Sequence, residues 1–463
     1  MPGKLDLSLL VGAHLLVACS ATPSTKPNAP PRPFTLEQDP LAIMPRVERR
    51  ILPNGLTVFL SEDHRVPAVA VRVAYRVGAA NDPRGRNSLA HLVEHLSFRG
   101  SRHVPPGSHQ EYLLAAGAGE VNATTSLDTT EYWELVPASE LVPTLWLESD
   151  RMASGLATLT DADIEHERRV VTEERGEAVE TVTAGSVGNI VLDAVLPGEH
   201  PYAGRGGKPE LDGLTLAEVH AFHDRYYVPS AAALVVAGDF DAARTWPVVE
   251  QYFGGLERKP EPARPATPGF VPTARTLEVE TRITNPAVVL AWATPAEAEP
   301  DSAELDVWAE ALSDRVRRLV AADLSDGAWV RRRSFALMGL FEIWIDVRRG
   351  VDPNAIPPAV ARLFAELESD AQRTLVVHDM TRQRLVNEYG RADRLTERSA
   401  LIADAQLLAG SPLFLADTVQ RFRAVTPASF LAAGTKYLSL TRALTVLVSS
   451  RAGAPRTGRL RGP

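Results

Sequence analysis

An internal repeat sets the architecture that this chain can adopt. The apolar run AVAV at residues 68–71 recurs as AVVL at residues 287–290, an offset of 219 residues. At a similar offset of 211 residues, Thr215 precedes a helical segment and the apolar run ALVVA, and Thr426 precedes a helical segment and the run ALTVLV. Matches that keep their order at a near-constant offset indicate a duplicated unit.

A proline-rich stretch separates the two copies. Residues 258–274 contain five prolines, which cannot sustain a helix or a central strand. Each copy contains short apolar strands and amphipathic helices, and Asn54-Gly55 predicts a hairpin at the start of the first copy. The sequence therefore predicts an α+β fold with two homologous halves, each a mostly antiparallel β-sheet with helices packed on it. The predicted parts are a first domain at 45–257, a linker at 258–274, a second domain at 275–452 and a flexible tail at 453–463.

The first residues resemble a bacterial lipoprotein signal. Lys4 precedes an apolar stretch, and the sequence LVAC that ends at Cys19 is similar to a lipobox, whose cysteine is acylated. We expect a signal at residues 1–19, lipidation of Cys19, and a proline-rich tether at 20–44; an ordinary secretory signal and a mis-assigned start are the alternatives. Ser20 after the cysteine favours a location in the bacterial cell envelope, at the periplasmic face of the outer membrane.

Composition excludes several classes of function. The net charge of -9 provides no basic field, so nucleic acid is not an expected partner. Cys19 is the single cysteine of the sequence, which excludes disulfides within the chain and a cysteine-rich metal site.

The segment 87–100, NSLAHLVEHLSFRG, contains a candidate metal-binding pattern. Its apolar residues recur at three- and four-residue spacing, which predicts a helix. His91 and His95 then lie one turn apart on one face and can bind one metal ion, the inverted zinc-peptidase pattern. Glu94 lies on the adjoining face, close enough to take a proton from a water molecule at the metal. The alternative is a surface helix with two solvated histidines.

A catalytic zinc ion needs a third protein ligand. The predicted helix at 161–180 contains Glu167 and Glu174, which are two turns apart and therefore lie on one face. By itself this pattern also fits an acidic, solvent-exposed helix.

Several segments of the first half together resemble one enzyme family, the pitrilysin and insulysin family of zinc metallopeptidases. The resemblance is strongest to its shorter branch, which includes the mitochondrial processing peptidase and bacterial homologues. The matching segments are GRNSLAHLVEHLSFRGS, VNATT with DTTEY, LWLESDRM, HERRVVTEE, HPY and RYYVPSAAALVVAGDF.

The resemblance implies roles for individual residues. His91, His95 and Glu174 are expected to bind one zinc ion per chain, with Glu173 as the alternative third ligand. Glu94 is expected to be the general base, and Glu167 a second acidic residue that orients the site. The segment that is expected to pair with the substrate backbone, as an edge strand does, is Asn122, Ala123 and Thr124.

The second half departs from the family pattern. Applying the offset of 219 residues places Glu310, Ser313 and Asp314 opposite the motif residues, so we expect this half to lack metal chemistry. Peptidases of the family commonly carry a substrate-binding arginine and tyrosine here; this chain has Ala322 and Trp329 instead. Residues 331–333, three arginines, are predicted to be a solvated charge run; the alternative is that they substitute for the missing pair. We therefore expect a homodimer, or a heterodimer in which a metal-less homologue supplies the missing residues.

The resemblance favours a zinc endopeptidase that hydrolyses peptides or unfolded polypeptides, and the lipobox-like sequence at Cys19 adds a lipid anchor to this prediction. The alternative is a non-catalytic or partner-dependent structural subunit of a complex of this family. A weaker alternative is a zinc-binding protein that captures peptides without cleaving them.

Overall fold

Two β-sheets organise the protein, one in each half of the chain. The structure, a computed structural model, describes residues 46–180, 184–267, 274–281, 283, 285–369, 373–410 and 414–450. The predictions for the signal, Cys19, the tether and the C-terminal tail lie outside the described residues.

The first sheet has six strands in the order β1-β2-β6-β3-β5-β4. All neighbours are antiparallel except β2 and β6. Its first hairpin confirms the turn prediction, and Gly55 adopts a φ of 94° there. The strands are β1 (Glu48–Ile51), β2 (Thr57–Glu62), β3 (Ala68–Tyr75), β4 (Glu120–Thr125), β5 (Thr130–Pro137) and β6 (Ala232–Gly238).

The second sheet has five strands in the order β7-β11-β8-β10-β9. Only β7 and β11 are parallel. From the parallel pair onward, the order of strands matches that of the first sheet, which confirms the predicted α+β fold with two similar halves. The strands are β7 (Arg275–Thr281), β8 (Ala287–Thr294), β9 (Ser325–Ser334), β10 (Gly339–Val347) and β11 (Leu444–Ser450).

The helices pack on both sheets. Those of the first half are α1 (Leu89–Leu96), α2 (Ser108–Ala115), α3 (Leu141–Ser154), α4 (Asp161–Glu180), α5 (Ala184–Val195), α6 (Leu216–Tyr226) and α7 (Ala242–Phe253). Those of the second half are α8 (Ser302–Ala321), α9 (Ile356–Ser369), α10 (Arg373–Asp393), α11 (Leu395–Leu407), α12 (Phe414–Arg423) and α13 (Pro427–Tyr437). Among the described residues, no helix is both long enough and apolar enough to cross a membrane.

Two helices join the halves by packing on the sheet of the opposite half. Helix α5 contributes Val187 and Val191 to an apolar cluster with β8, β10 and β11. Helix α11 contributes Ile402 and Ala403 to a cluster with β2, β3 and β6. Each sheet therefore has helices of its own half on one face and one helix of the other half on the opposite face.

The prediction of a solvated charge run at residues 331–333 is wrong. These arginines lie in β9, and the side chain of Arg332 is only 1% exposed, with Asp306 at 3.1 Å. Arg331 and Arg333 both bind the buried carboxylate of Glu342 on the neighbouring strand β10, at 2.8 and 2.9 Å. Glu342, the partner of Arg331 and Arg333, follows them in the sequence only after the turn between β9 and β10. The run of three arginines has no acidic neighbour of its own, so the sequence alone suggested that solvent surrounds it.

Candidate metal centre

Helix α1 begins with a cap that comes from a preceding loop. Ser88, the N-cap residue, has a φ of 74° and its side chain does not cap the helix. The carboxylate of Asp82 accepts hydrogen bonds from the backbone N–H groups of Ser88 and Ala90 instead, both at 2.8 Å. Asp82 thereby fixes the first turn of the helix, which contains His91.

Helices α1 and α4 bring three potential ligands together. Nε2 of His91 and Nε2 of His95 are 3.2 Å apart. Oε2 of Glu174 lies 3.7 Å from the first nitrogen and 3.5 Å from the second. The three side chains form one of two groups of metal-ligand type among the described residues.

These separations fit a zinc ion. Two ligand atoms about 2.1 Å from a tetrahedral ion are about 3.4 Å apart, close to the three distances between His91, His95 and Glu174. The donor set of two imidazoles and one carboxylate is also one that catalytic zinc uses. Glu173, the alternative third ligand, is not part of this group.

Glu167 and Arg99 hold His95 from the side away from Glu174. Nδ1 of His95 donates a hydrogen bond to Oε2 of Glu167 at 3.1 Å, which leaves Nε2 free to bind a metal. Oε1 of Glu167 accepts from Arg99 at 2.5 Å. Burial opposes ionisation of Glu167, but the hydrogen bonds from His95 and Arg99 outweigh it and hold the pKa of this carboxyl below its usual range. Glu167 is therefore ionised and orients the imidazole.

We expect Glu167→Gln to weaken zinc binding about 10- to 100-fold, as is usual when a hydrogen-bond partner of a metal ligand is removed. The change removes the charge that fixes the His95 ring but leaves the three ligands in place. Competition with a coloured chelator measures the affinity. Glu165→Gln is the matched control, because Glu165 lies on the same helix, is exposed and binds Arg168; equal affinities in the two variants would contradict the assigned role.

Glu94 is held by the edge strand of the first sheet. The hydroxyl of Thr125, the last residue of β4, donates to Oε2 of Glu94 at 2.5 Å. The Glu94 side chain is buried in the first half, and both residues line an open cleft of about 470 Å³ together with the three ligands. This contact leaves Oε1 as the oxygen that can exchange a proton with a molecule in the cleft.

The protonation states of His91 and Glu94 suit metal binding and proton transfer. Burial lowers the pKa of His91 to about 4, and the nearby His95 and Arg175 act in the same direction. His91 is therefore neutral at pH 7, as a metal ligand must be. Burial raises the pKa of Glu94 above the usual carboxyl range, although the Thr125 hydrogen bond partly opposes this shift. A base whose pKa is moved toward neutrality can accept and return a proton.

Strand β4 forms one wall of the cleft. It is an edge strand that pairs only with β5 among the described strands, so its other side is open to an added strand. The backbone N–H of Ala123 donates to the side chain of its neighbour Asn122 at 2.9 Å. Asn122 and Thr124 are exposed, and Ala123 is half-buried. The structure thus places the predicted substrate segment on an open sheet edge beside Glu94.

A second group of ligand-type atoms lies in the interior of the first half. Nε2 of His109 is 3.3 Å from Glu148 and 3.7 Å from Glu134, and all three side chains are buried. The guanidinium of Arg151 contacts Glu148 and lies 3.6 Å from Glu134. Burial and the charge of Glu148 raise the pKa of Glu134. Because Arg151 already supplies a positive charge to these carboxylates, the group is a buried ion network.

The second half carries a larger cavity, of about 780 Å³, but of a different kind. Its charged lining residues pair with one another, as Arg332 does with Asp306 at 3.1 Å and Arg384 with Glu388 at 3.1 Å. The counterparts of the motif, Glu310, Ser313 and Asp314, lie on α8, outside both groups of metal-ligand type that the described residues contain.

Comparison with known proteins identifies the family. Residues 57–195 match the family model of insulinase, peptidase family M16, and residues 213–375 match that of the peptidase M16 inactive domain. Together the two models cover well over half of the chain. The chain belongs to peptidase family M16, which confirms the resemblance to the pitrilysin and insulysin group.

Individual relatives agree with this assignment. The chain is similar to the zinc protease PqqE of Helicobacter pylori, with 27% identity over 300 residues, 63% of this chain and 67% of that protein. It is 31% identical to an uncharacterised zinc protease of Mycobacterium leprae over 44% of the chain, and 26% identical to the mitochondrial-processing peptidase subunit beta of Blastocladiella emersonii over 49%. These matches span only 46% and 48% of the two relatives.

Solved structures share the fold. A protease from Helicobacter pylori superposes with a TM-score of 0.79 at 22% identity, over 88% of this chain and 99% of that chain. A peptidase M16 inactive domain from Pseudomonas fluorescens superposes with a TM-score of 0.76 at 17% identity, over 89% and 99%. The two-half architecture is therefore that of the family.

Proposed function

We propose that this protein is a zinc-dependent endopeptidase that hydrolyses peptides or unfolded polypeptides. The observation that carries the proposal is the convergence of His91, His95 and Glu174, whose ligand atoms are 3.2 to 3.7 Å apart beside a buried carboxylate, Glu94. Membership of a family with zinc-protease relatives supports the same class of chemistry.

The three ligands would hold one zinc ion per chain. When bound there, zinc supplies the Lewis acidity that makes water nucleophilic and a carbonyl electrophilic at neutral pH. Glu94 accepts a proton at Oε1 from the attacking water while Thr125 holds Oε2. The same oxygen returns the proton to the amine that leaves when the peptide bond breaks, so Glu94 ends the cycle ionised.

Strand β4 would bind the substrate. An extended polypeptide can add to the open edge through backbone hydrogen bonds at Asn122, Ala123 and Thr124. Such pairing depends on the extended conformation of the substrate backbone more than on a particular amino-acid sequence. This favours unfolded chains as substrates.

Partner dependence is the second candidate. A relative is named as a subunit, and a fold neighbour is described as an inactive domain. Ala322 and Trp329 stand where peptidases of the family commonly carry a substrate-binding arginine and tyrosine, and the Trp329 ring stacks on Trp344 with centroids 5.5 Å apart. We therefore keep a homodimer, or a heterodimer with a metal-less homologue, as part of the proposal. Lipid anchoring through Cys19 at the outer membrane belongs to the proposal as well.

The test is cleavage of an unfolded polypeptide by the purified chain, monitored by mass spectrometry. We expect cleavage at internal peptide bonds, loss of cleavage with a zinc chelator, and recovery when zinc is added back. The partner-dependent form would be favoured if the chain alone binds zinc but cleaves nothing, and if cleavage appears once a homologous chain is added. Cleavage that persists unchanged in chelator would contradict the proposal.

A further inference from the structure

The turn between β4 and β5 makes contacts that hydrolysis itself does not use. Asp128 lies in this turn, three residues after Thr125. Its Oδ1 accepts a hydrogen bond from the hydroxyl of Tyr202 at 2.5 Å, and its Oδ2 accepts from the backbone N–H of Ala336 at 2.9 Å. The hydroxyl oxygen of Tyr202 in turn accepts from the backbone N–H of Leu337 at 2.9 Å.

These hydrogen bonds connect the two halves of the protein. Asp128 and Tyr202 belong to the first half, and the two N–H groups belong to the turn between β9 and β10 in the second half. Tyr202 is fully buried, and its ring packs against Phe335 with centroids 5.6 Å apart. These contacts add to the hydrogen bonds of the β9–β10 turn itself, such as that from the backbone N–H of Phe335 to the carbonyl oxygen of Met338 at 2.9 Å, and they tie the turn to the two side chains of the first half.

The β4–β5 turn is also fixed within the first half. The backbone N–H groups of Ala79 and Ala80 donate to the carbonyl oxygens of Ser126 and Leu127 at 3.0 and 2.9 Å. Gly78 permits this approach, since a Cβ at that position would lie 2.5 Å from the carbonyl oxygen of Ser126. The β4–β5 turn therefore holds the end of β4, where Thr125 contacts Glu94, in a fixed position relative to the second half.

We propose that Asp128 and Tyr202 are positioning residues that hold the substrate strand β4 in a fixed place relative to the second half. An extended polypeptide bound along β4 then has one fixed orientation relative to both halves. This inference rests on the proposed role of β4 in substrate binding. The competing interpretation is a contact that only stabilises the fold.

Tyr202→Phe is the sharpest test, because it deletes one hydroxyl and keeps the ring on Phe335. Tyr437→Phe is the matched control: the Tyr437 hydroxyl donates to Asp301 at 3.2 Å, entirely within the second half. Two measurements are made on both variants. One is amide hydrogen exchange in residues 121–129 and 335–338, and the other is kcat and KM for a peptide of about 20 residues, long enough at about 3.3 Å per residue to extend beyond β4.

For Tyr202→Phe we expect faster exchange in both segments and a KM raised about tenfold, because the change removes both hydrogen bonds of the hydroxyl, the one to Asp128 and the one from Leu337. Zinc content and kcat should stay within about twofold of the wild type, since the ligands and Glu94 keep their contacts. Tyr437→Phe should leave hydrogen exchange in both segments, kcat and KM unchanged. Asp128→Asn keeps one acceptor oxygen and should give an intermediate KM; it also serves as the test variant if Tyr202→Phe does not fold.

The proposal is overturned if Tyr202→Phe speeds exchange only in 335–338 while residues 121–129 and KM stay unchanged, since the contact would then be structural. A failure of the proposed function is recognised separately. If the wild-type chain cleaves no peptide, hydrogen exchange in residues 121–129 still decides whether the pair holds β4.

Discussion

Glu94→Gln should bind zinc as the wild type does and lose two to four orders of magnitude in kcat, about the contribution of a general acid–base group. Glutamine keeps an oxygen that can accept from Thr125, so the side chain can stay in place. It cannot accept a proton from water or return one to the leaving amine. The expected result is therefore a folded, metal-loaded and nearly inactive protein.

Zinc content by elemental analysis and kcat by peptide cleavage are measured on the same preparation. Glu111→Gln is the control, because Glu111 is exposed on α2, the helix beside the cleft. Cleavage by Glu94→Gln at the wild-type rate would remove Glu94 from the mechanism. Loss of zinc together with activity would show instead that this side chain supports the metal.

Replacing the third ligand should have the second large effect. We expect Glu174→Gln to lower zinc affinity by more than about 100-fold, because removing even an indirect partner of a ligand costs about 10- to 100-fold. Activity at limiting zinc should fall in parallel. Competition with a chelator measures the affinity, and added zinc should restore part of the activity.

Glu173→Gln is the matched control for this change. Glu173 is the adjacent residue on the same helix, is exposed, and lies outside the group formed by His91, His95 and Glu174. We expect its zinc affinity and activity to equal those of the wild type. The opposite pattern, a loss in Glu173→Gln and none in Glu174→Gln, would assign the third ligand to Glu173 and would require a different register of α4.

The sequence predicts the parts of the site that depend on local periodicity. Apolar spacing predicts the motif helix, and the interval of seven residues places Glu167 and Glu174 on one face of α4. The choice between Glu173 and Glu174 depends on how α4 lies against α1, which no local pattern contains. In the structure Glu174 lies in the group with the histidines and Glu173 does not, which favours Glu174 as the third ligand.

Contacts between distant segments were not predictable in the same way. Asp82 caps α1 from a loop, and Thr125 reaches Glu94 from a strand 31 residues away in sequence. Arg99 follows the end of α1 and has no local partner in the sequence, yet it binds Glu167 on α4. Each of these roles depends on which segments lie close together in the folded chain, so the role could not be predicted from the residue type alone.

The helices that join the halves show the same limit. Helices α5 and α11 bury apolar faces against the sheet of the opposite half. In the sequence, such a face has the same period as one that packs within its own half. The internal repeat predicted two similar halves, but it did not predict that each half would cover the other's sheet.

We propose that His91, His95 and Glu174 of this chain bind zinc. Elemental analysis of the purified, zinc-loaded chain after extensive dialysis tests it most directly, in the wild type and in His91→Ala. We expect about one zinc ion per wild-type chain, as for a catalytic site with three protein ligands, and little zinc in the variant. Equal zinc content in the two proteins, or a wild-type chain that retains none, would contradict it.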